Sequence, residues 1–413
     1  MAKPLAFEEA VREVMAHVAP LPAVRMPAAE CAGHAVAADL ASELDLPPFD
    51  NSAMDGYVLR AADTEQATGA APARLRLVGE SRAGEPADEP LQAGCAMRIS
   101  TGAAVPVDAD AVLRVEDSAV EDGHLLVRRP LAPGNDVRPA GDDVRRGDVV
   151  LLAGTRVGAG ELAMLASIGA TEADVVPHPK VAIVATGDEL VPPGEPLGHG
   201  QIHDSNSVML ERLAHAAGGD VVLTRVRVAD ERAAVDAAIG EALDAADVVI
   251  LSGGVSKGEH DHVKPALDAA GVRQVFWQIA LRPGHPLWFG AREAAAERPT
   301  LVFGLPGNPV SAYVTFHLFA APALAGLAGM SERPLTIDAR YSGPRQPKRA
   351  GFAQILRCGL SNEDGAVVAR PTSSNQRSHA VTSTVGVDGL AILPPESEGI
   401  DDGDTVVVRL VPR

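Results

Sequence analysis

The residue types that can do chemistry are densest in Leu251-Ser252-Gly253-Gly254-Val255-Ser256-Lys257-Gly258-Glu259-His260-Asp261. Two glycines let backbone amides approach a ligand closely, and successive N–H groups can form an anion-binding nest. Glu259 and Asp261 are the side chains to hold a divalent cation, and Lys257 supplies a point charge for an oxyanion. The same Gly-Gly turn also serves elsewhere as a plain connection. What precedes it is an apolar run, Val248 to Leu251, that reads as a buried strand; a helical pattern follows.

Other segments repeat this layout. Val181 to Thr186 is a second apolar strand, ending in Thr186-Gly187-Asp188-Glu189-Leu190. Next comes Gln201-Ile202-His203-Asp204-Ser205-Asn206-Ser207, with a helical pattern to about Ala217. Asp204, Ser205 and Asn206 are all good N-cap residues, and the start of that helix can receive an anion. Thr300 to Gly304 is a further strand, leading into Leu305-Pro306-Gly307-Asn308-Pro309-Val310-Ser311. Strands alternating with helices predict a doubly wound, mostly parallel sheet, whose ligands sit beyond the carboxyl ends of the strands. A single crevice can gather all these motifs.

Read in chain order, TGDEL, DSN, SGGVSKGEHD and LPGNPVS resemble the molybdopterin-binding domain of the molybdenum cofactor assembly enzymes. Pro47-Pro48-Phe49-Asp50-Asn51-Ser52-Ala53-Met54-Asp55-Gly56-Tyr57 resembles the signature of the molybdopterin molybdenumtransferase family, which includes the gephyrin E domain. Arg98-Ile99-Ser100-Thr101-Gly102-Ala103 and Arg138-Pro139-Ala140-Gly141-Asp142-Asp143-Val144 fit the same family, and the likeness covers nearly the whole chain. The adenylyltransferases of the pathway share the binding domain but lack these N-terminal segments.

The resemblance implies an enzyme that inserts molybdate into adenylated molybdopterin with Mg2+-dependent release of AMP. Substrate, leaving group and incoming oxyanion are all negative, so a carboxylate-held cation would screen their repulsion. Magnesium keeps several waters and needs only one or two protein carboxylates besides phosphate oxygens. Carried over by motif position, the catalytic set is Asp55, Thr101, Asp143, Glu189, Asp230 and Asp261, with Glu189 and Asp261 as metal ligands. The substrate-binding set is Thr186, Gly187, Asp204, Ser205, Asn206, Ser252, Gly253, Gly254, Ser256, Lys257, Lys264, Arg282, His285, Pro306, Gly307, Asn308, Pro309 and Ser311. Several of these have simpler uses. Asp55 and Thr101 can stabilise turns, Asp143 can sit in a solvated loop, and Glu189 can be a first-turn acid. Asp230 can cap the helix that starts near Glu231, and Ser311 can be a structural helix-start serine. Neither His203 nor His260 has a partner at zinc-ligand spacing.

Two departures from the family pattern touch the oxyanion. Many members carry Lys-Pro-Gly-Lys-Pro where this chain has Arg282-Pro283-Gly284-His285-Pro286. In the last domain an arginine often follows the Phe-x pair, whereas Phe352-Ala353 is followed by Gln354; Arg357 and Arg377 are the candidates to compensate.

At 413 residues the chain is too long for one ordinary core, so several domains are expected. Hydrophobic residues make up 46% but aromatics only 3%, so aliphatic and alanine side chains must fill the cores. A formal net charge of −19 argues against a general nucleic-acid binder and requires local attraction of an anionic ligand. Cys31, Cys95 and Cys358 are too few and scattered for a disulfide framework or a Cys-rich zinc site. The stretch from Asn308 to Met330 holds no Asp, Glu, Lys or Arg and is long enough to span a bilayer. His317, Pro322 and the Pro-Gly-Asn-Pro turn favour a buried helix instead, without contact with a membrane. No secretory signal is visible, and a cytoplasmic protein is expected.

The expected fold is multidomain α/β plus β. Residues 1–45 and 145–179 form an elongated helical domain, in which Phe7 to about Leu44 and Gly158 to Gly169 pair as helices. Residues 46–144 form an inserted β-rich domain, 180–330 the central doubly wound α/β domain, and 331–413 a small, barrel-like β domain. The resemblance adds a homodimer with a composite active site, one subunit's inserted domain facing the other's crevice. It also brings an adenylyltransferase or an apo-molybdoenzyme into view as partner. Two further classes compete with the transferase: a non-catalytic scaffold, and another nucleotide-active enzyme on the same domain. Retention of the carboxylates speaks against the first, and the N-terminal motifs against the second.

Overall fold

The structure, a computed structural model, describes residues 4–229, 231–254, 262–293, 298–331 and 334–412. Its centre is a six-stranded sheet in the order Asp220–Val228, Lys180–Thr186, Val248–Ser252, Thr300–Leu305, Trp288–Arg292, Val272–Trp277. The first four strands run parallel, and the last two form an antiparallel extension. The parallel strands are continuous apolar runs because both faces are covered, as such sheets require. Alternate side chains go to opposite layers. Val181, Ile183, Val248 and Ile250 pack with Leu210, Ala214 and Val310 on one face. Ala182, Val184, Val249 and Leu251 pack with Val235, Ile239 and Leu267 on the other. Helices Asn206–Ala216 and Pro309–Thr315 therefore cover one face, and Arg232–Ala245 and Val263–Ala269 the other.

The uncharged stretch after Asn308 is a helix from Pro309 to Leu327, long and apolar enough to cross a membrane. Its most apolar window is 78% buried inside the protein. A π turn, Phe316–Ala320, interrupts it just before Pro322, where the proline would otherwise clash with the preceding turn.

The first domain is less helical than its alanine spacing predicts. Among the described residues only Phe7–Met15 and Ala159–Ser167 are α-helices there. Pro20, Pro22 and Pro27 stop helix propagation, and Val24–Pro27 instead pairs with Glu172–Val176, which also pairs with Ala35–Val36. The two helices do not pack on each other as expected. Phe7, Ala10 and Val14, spaced for one helical face, enter the core of the α/β domain, with Phe7 edge-on to Phe319 at 5.8 Å. Ala159–Ser167 packs on the turn Ala28–Glu30 instead.

The inserted region is a six-stranded sheet in the order Ala111–Arg114, Gly56–Leu59, Cys95–Ile99, Ala73–Ser81, His124–Val127, Ala119–Glu121. In the last part, Ala353–Glu363, Ala366–Pro371, Thr336–Tyr341, Thr405–Leu410 and Gly389–Leu393 pair in that order. The fifth strand returns to the first to close a barrel. Its interior takes every second residue, such as Leu356, Cys358, Val406 and Val408. Strand Ala353–Glu363 also adds to Leu281–Arg282 of the α/β domain, in the register Leu281↔Ala353 and Arg282↔Gln354.

Candidate active site

Strand register brings the motifs together. Ala185 pairs with Ser252, Ser252 with Leu305, and Thr186 with Val228, so four strand ends finish level on one edge of the sheet. From that edge emerge TGDEL, the Gly-Gly turn, LPGNP and the segment before Glu231. The Gly-Gly turn needs its glycines. Gly253 and Gly254 have φ of 91° and 64°, and a Cβ on Gly254 would lie 2.4 Å from Val263 Cγ2. Asn206 ties the edge together: its Nδ2 donates to Ser252 Oγ at 2.9 Å and to the Gly307 carbonyl at 2.8 Å.

Asp204, Asn206, Thr186 and Ser252 are all at least nine-tenths buried. Asp204 Oδ1 accepts from the backbone amides of Asn206 and Ser207, each at 3.0 Å. Asp204 thus caps the start of the Asn206–Ala216 helix, the simpler use its residue type allows, and its carboxylate takes up the first two amides there. Thr186 Oγ1, Asp204 Oδ2, Asn206 Oδ1 and Ser207 Oγ are buried with no hydrogen-bond partner, a concentration of unsatisfied polar atoms under one sheet edge.

Pro306, Gly307, Asn308, Pro309 and Ser311 form the opposite wall. Pro309 is the first residue of its helix, where its missing N–H costs no hydrogen bond, and Ser311 is buried within it. Ser378 of the C-terminal domain reaches this wall: its carbonyl accepts from Val310 N at 3.2 Å and its Oγ from Asn308 Nδ2 at 3.4 Å. No sequence signal placed Ser378 there, since the contact spans two domains. Ser207 could have been found, being the next residue after the DSN motif on the helix's inner face.

Gly187 is buried, with the Glu189 carboxylate folded against it: a Cβ on Gly187 would lie 2.4 Å from Glu189 Oε2. Asp188 and Glu189 are exposed, as is Ser205 at the N-cap of the Asn206–Ala216 helix. Ser256, Lys257 and Asp261, with Glu259 and His260, lie outside the described residues, as does Asp230. Lys264 stands 3.6 Å from the centre of the Trp277 ring. Among the described residues no group of three or more His, Cys, Asp or Glu side chains is arranged to hold a metal.

The two departures from the family pattern meet in space. Arg282 and Gln354 are register partners, and Arg282 and Arg349 stand 5.4 and 4.6 Å from the Phe352 ring centre. His285 packs edge-on to the same ring at 5.6 Å, and its Nδ1 bonds the Ile279 carbonyl at 2.6 Å. Arg357 does not compensate for Gln354. It is fully buried, donates to Ser383 Oγ and the Ile355 carbonyl, and is pulled down to about 10 by that burial. Arg377 is exposed beside Ser378.

A second cluster assembles from the N-terminal motifs. Ser52 N donates to Ala103 O, Gly102 N to Ser52 O, and Ala140 N to Asp50 Oδ1 at 2.7 Å. Asp143 N donates to Leu46 O, and the Asp143 side chain is exposed. Thr101 donates to Asp55 Oδ1 from its backbone amide at 2.7 Å and its hydroxyl at 3.0 Å. Those two bonds, aided by Arg98, hold the Asp55 carboxyl below the usual carboxylate range. Among the described residues no hydrogen bond or ion pair joins residues 46–144 to residues 180–330.

The fold defines a multidomain α/β protein whose motif-bearing loops gather at the carboxyl edge of a doubly wound sheet. Three family models match in succession: the MoeA N-terminal region (domain I and II) over residues 5–169, a probable molybdopterin binding domain over 182–326, and the MoeA C-terminal region (domain IV) over 343–411. The molybdopterin molybdenumtransferase of Haemophilus influenzae is 36% identical over 92% of both chains. That of Bacillus subtilis is 33% identical over 99% of this chain and 94% of its own. A crystal structure of the molybdopterin biosynthesis MoeA protein of Pyrococcus horikoshii superposes with a TM-score of 0.84, at 32% identity over 99% of each chain. The chain belongs to the molybdopterin molybdenumtransferase family and is a transferase of molybdenum cofactor biosynthesis.

Proposed function

We propose that the crevice takes adenylated molybdopterin, and that the enzyme inserts molybdate into its dithiolene while the phosphoanhydride is hydrolysed to release AMP. The observation that carries this reading is the convergence of four motif-bearing strand ends on one edge, cross-tied by Asn206. Amides of the Gly253-Gly254 turn and Lys257 would hold the phosphates, and Arg282 the incoming oxyanion.

The donor chemistry fits magnesium. Glu189 is an exposed carboxylate following the strand end, and with Asp261 it would make the pair of oxygen ligands that a largely hydrated Mg2+ needs. Bound there, the ion would screen the charge that accumulates on the anhydride oxygens. Asp261 is the group to orient and deprotonate the attacking water.

Asp55, prearranged by Thr101, and Asp143 lie on a domain that, among the described residues, makes no hydrogen bond to its own subunit's α/β domain. They would complete the site of a second subunit, in a cytoplasmic homodimer that receives its substrate from an adenylyltransferase and delivers cofactor to an apo-molybdoenzyme. Purified protein incubated with adenylated molybdopterin, magnesium and molybdate should release AMP, and omitting any one should abolish it. Tight molybdopterin binding without AMP release would make the protein a carrier or scaffold instead.

A further inference from the structure

We propose that Asn206 is a positioning residue, which locks the Gly-Gly turn to the Pro-Gly-Asn turn so that together they present molybdopterin in one geometry. The inference rests on the crevice being the molybdopterin site. It departs from the motif-based placement of Asn206 among the substrate contacts. Both of its side-chain donors are committed to protein, one to Ser252 Oγ at 2.9 Å and one to the Gly307 carbonyl at 2.8 Å. An asparagine has only two N–H donors, so none is left for a phosphate or molybdate oxygen. What remains is Oδ1, an acceptor that would repel an oxyanion and that lies buried without a partner.

The surroundings fit a fixed strut. Asn206 is 8% exposed, and its backbone is pinned by the Asp204 carboxylate at the helix start. The two turns it joins touch each other: Gly253 N donates to Leu305 O at 3.3 Å, and a Cβ on Gly307 would lie 3.8 Å from Gly253 Cα. At the point of contact Gly253, Gly254 and Gly307 have no side chains to hold this spacing. A side-chain amide that bonds a hydroxyl on one turn and a carbonyl on the other does so instead.

The test is a double-mutant cycle on molybdopterin affinity, with thermal midpoints measured in parallel. Asn206→Ala should weaken binding about tenfold in the native background and distinctly less once Ser252→Ala has removed one of its anchors, because residues that act as a unit are not additive. Asn206→Asp should bind worse than Asn206→Ala, since its carboxylate would face the Gly307 carbonyl. Were Oδ1 a direct acceptor for the ligand, aspartate would preserve affinity and the cycle would be additive; either result overturns the proposal. Failure of the native protein itself to bind molybdopterin would remove the crevice assignment instead. Hydrogen exchange then still judges the strut: Asn206→Ala should speed exchange of the Gly253 and Asn308 amides together, and unchanged rates would refute it.

Discussion

The α/β crevice and the outer edge of the inserted domain both gather glycine, acid and hydroxyl residues, yet they are built in opposite ways. In the crevice, Thr186, Asp204, Asn206 and Ser252 are buried, and four polar atoms there lack partners. On the inserted domain, Asp55 and Thr101 satisfy each other and stand in solvent. Unsatisfied buried polar groups are costly, and four gathered under one sheet edge set the crevice apart from the inserted domain. A carboxylate prearranged by two hydrogen bonds on an open surface is ready to act on a neighbour. The contrast is what two complementary half-sites would show, one open to a ligand and the other prearranged on the surface.

The largest effect should come from the chemical step. If the crevice supplies the general base, Asp261→Asn should retain molybdopterin and lose AMP release by about a hundredfold or more, the range of a positioned acid–base group. Single-turnover kinetics would check this, and unchanged release would leave the crevice as a binding half only.

A smaller effect separates the regions by pH. Behind the Pro-Gly-Asn-Pro turn, burial and then Arg409 pull His317 down to about 4, and it is 5% exposed. An unfolded histidine titrates near 6.5, so the folded state is favoured fully above that value. As pH falls from about 6.5 towards 4 the unfolded chain binds the proton first, and stability is lost. His317→Gln should flatten the thermal midpoint over that window. Asp55, lowered but exposed, should leave the window unchanged when replaced by Asn. A slope that survives His317→Gln would assign the acid sensitivity to another group.

Much of this was legible in the sequence where local chemistry and tertiary demand agree. Apolar runs such as Val181–Ala185, bounded by turn residues, read as strands covered on both faces, and they locate the sheet and the edge where the motifs gather. The stretch after Asn308 was readable as core because His317 and Pro322 suit a buried, interrupted helix. The region from Val24 to Ala41 was misread, since alanine spacing mimics a helix while prolines and distant strand partners decide otherwise. An N-cap carboxylate and an anion-receiving helix start have the same sequence signature, and only the structure shows Asp204 bonded to the helix's first amides. Arg357 looked available to replace a missing cation, and only the closed barrel reveals that it is buried against Ser383. Neither the meeting of Arg282 with Gln354 nor the reach of Ser378 can be read along the chain, because each depends on how two domains dock.

The central claim is that the two half-sites meet between subunits, and mixing inactive variants tests it most directly. Asp55→Ala subunits and Asp261→Ala subunits should each be inactive alone. After exchange, a heterodimer would hold one site with both lesions and one with neither, so an equal mixture should recover about a quarter of native AMP release. Verified exchange with no recovery would contradict the account and assign Asp55 to the crevice of its own chain.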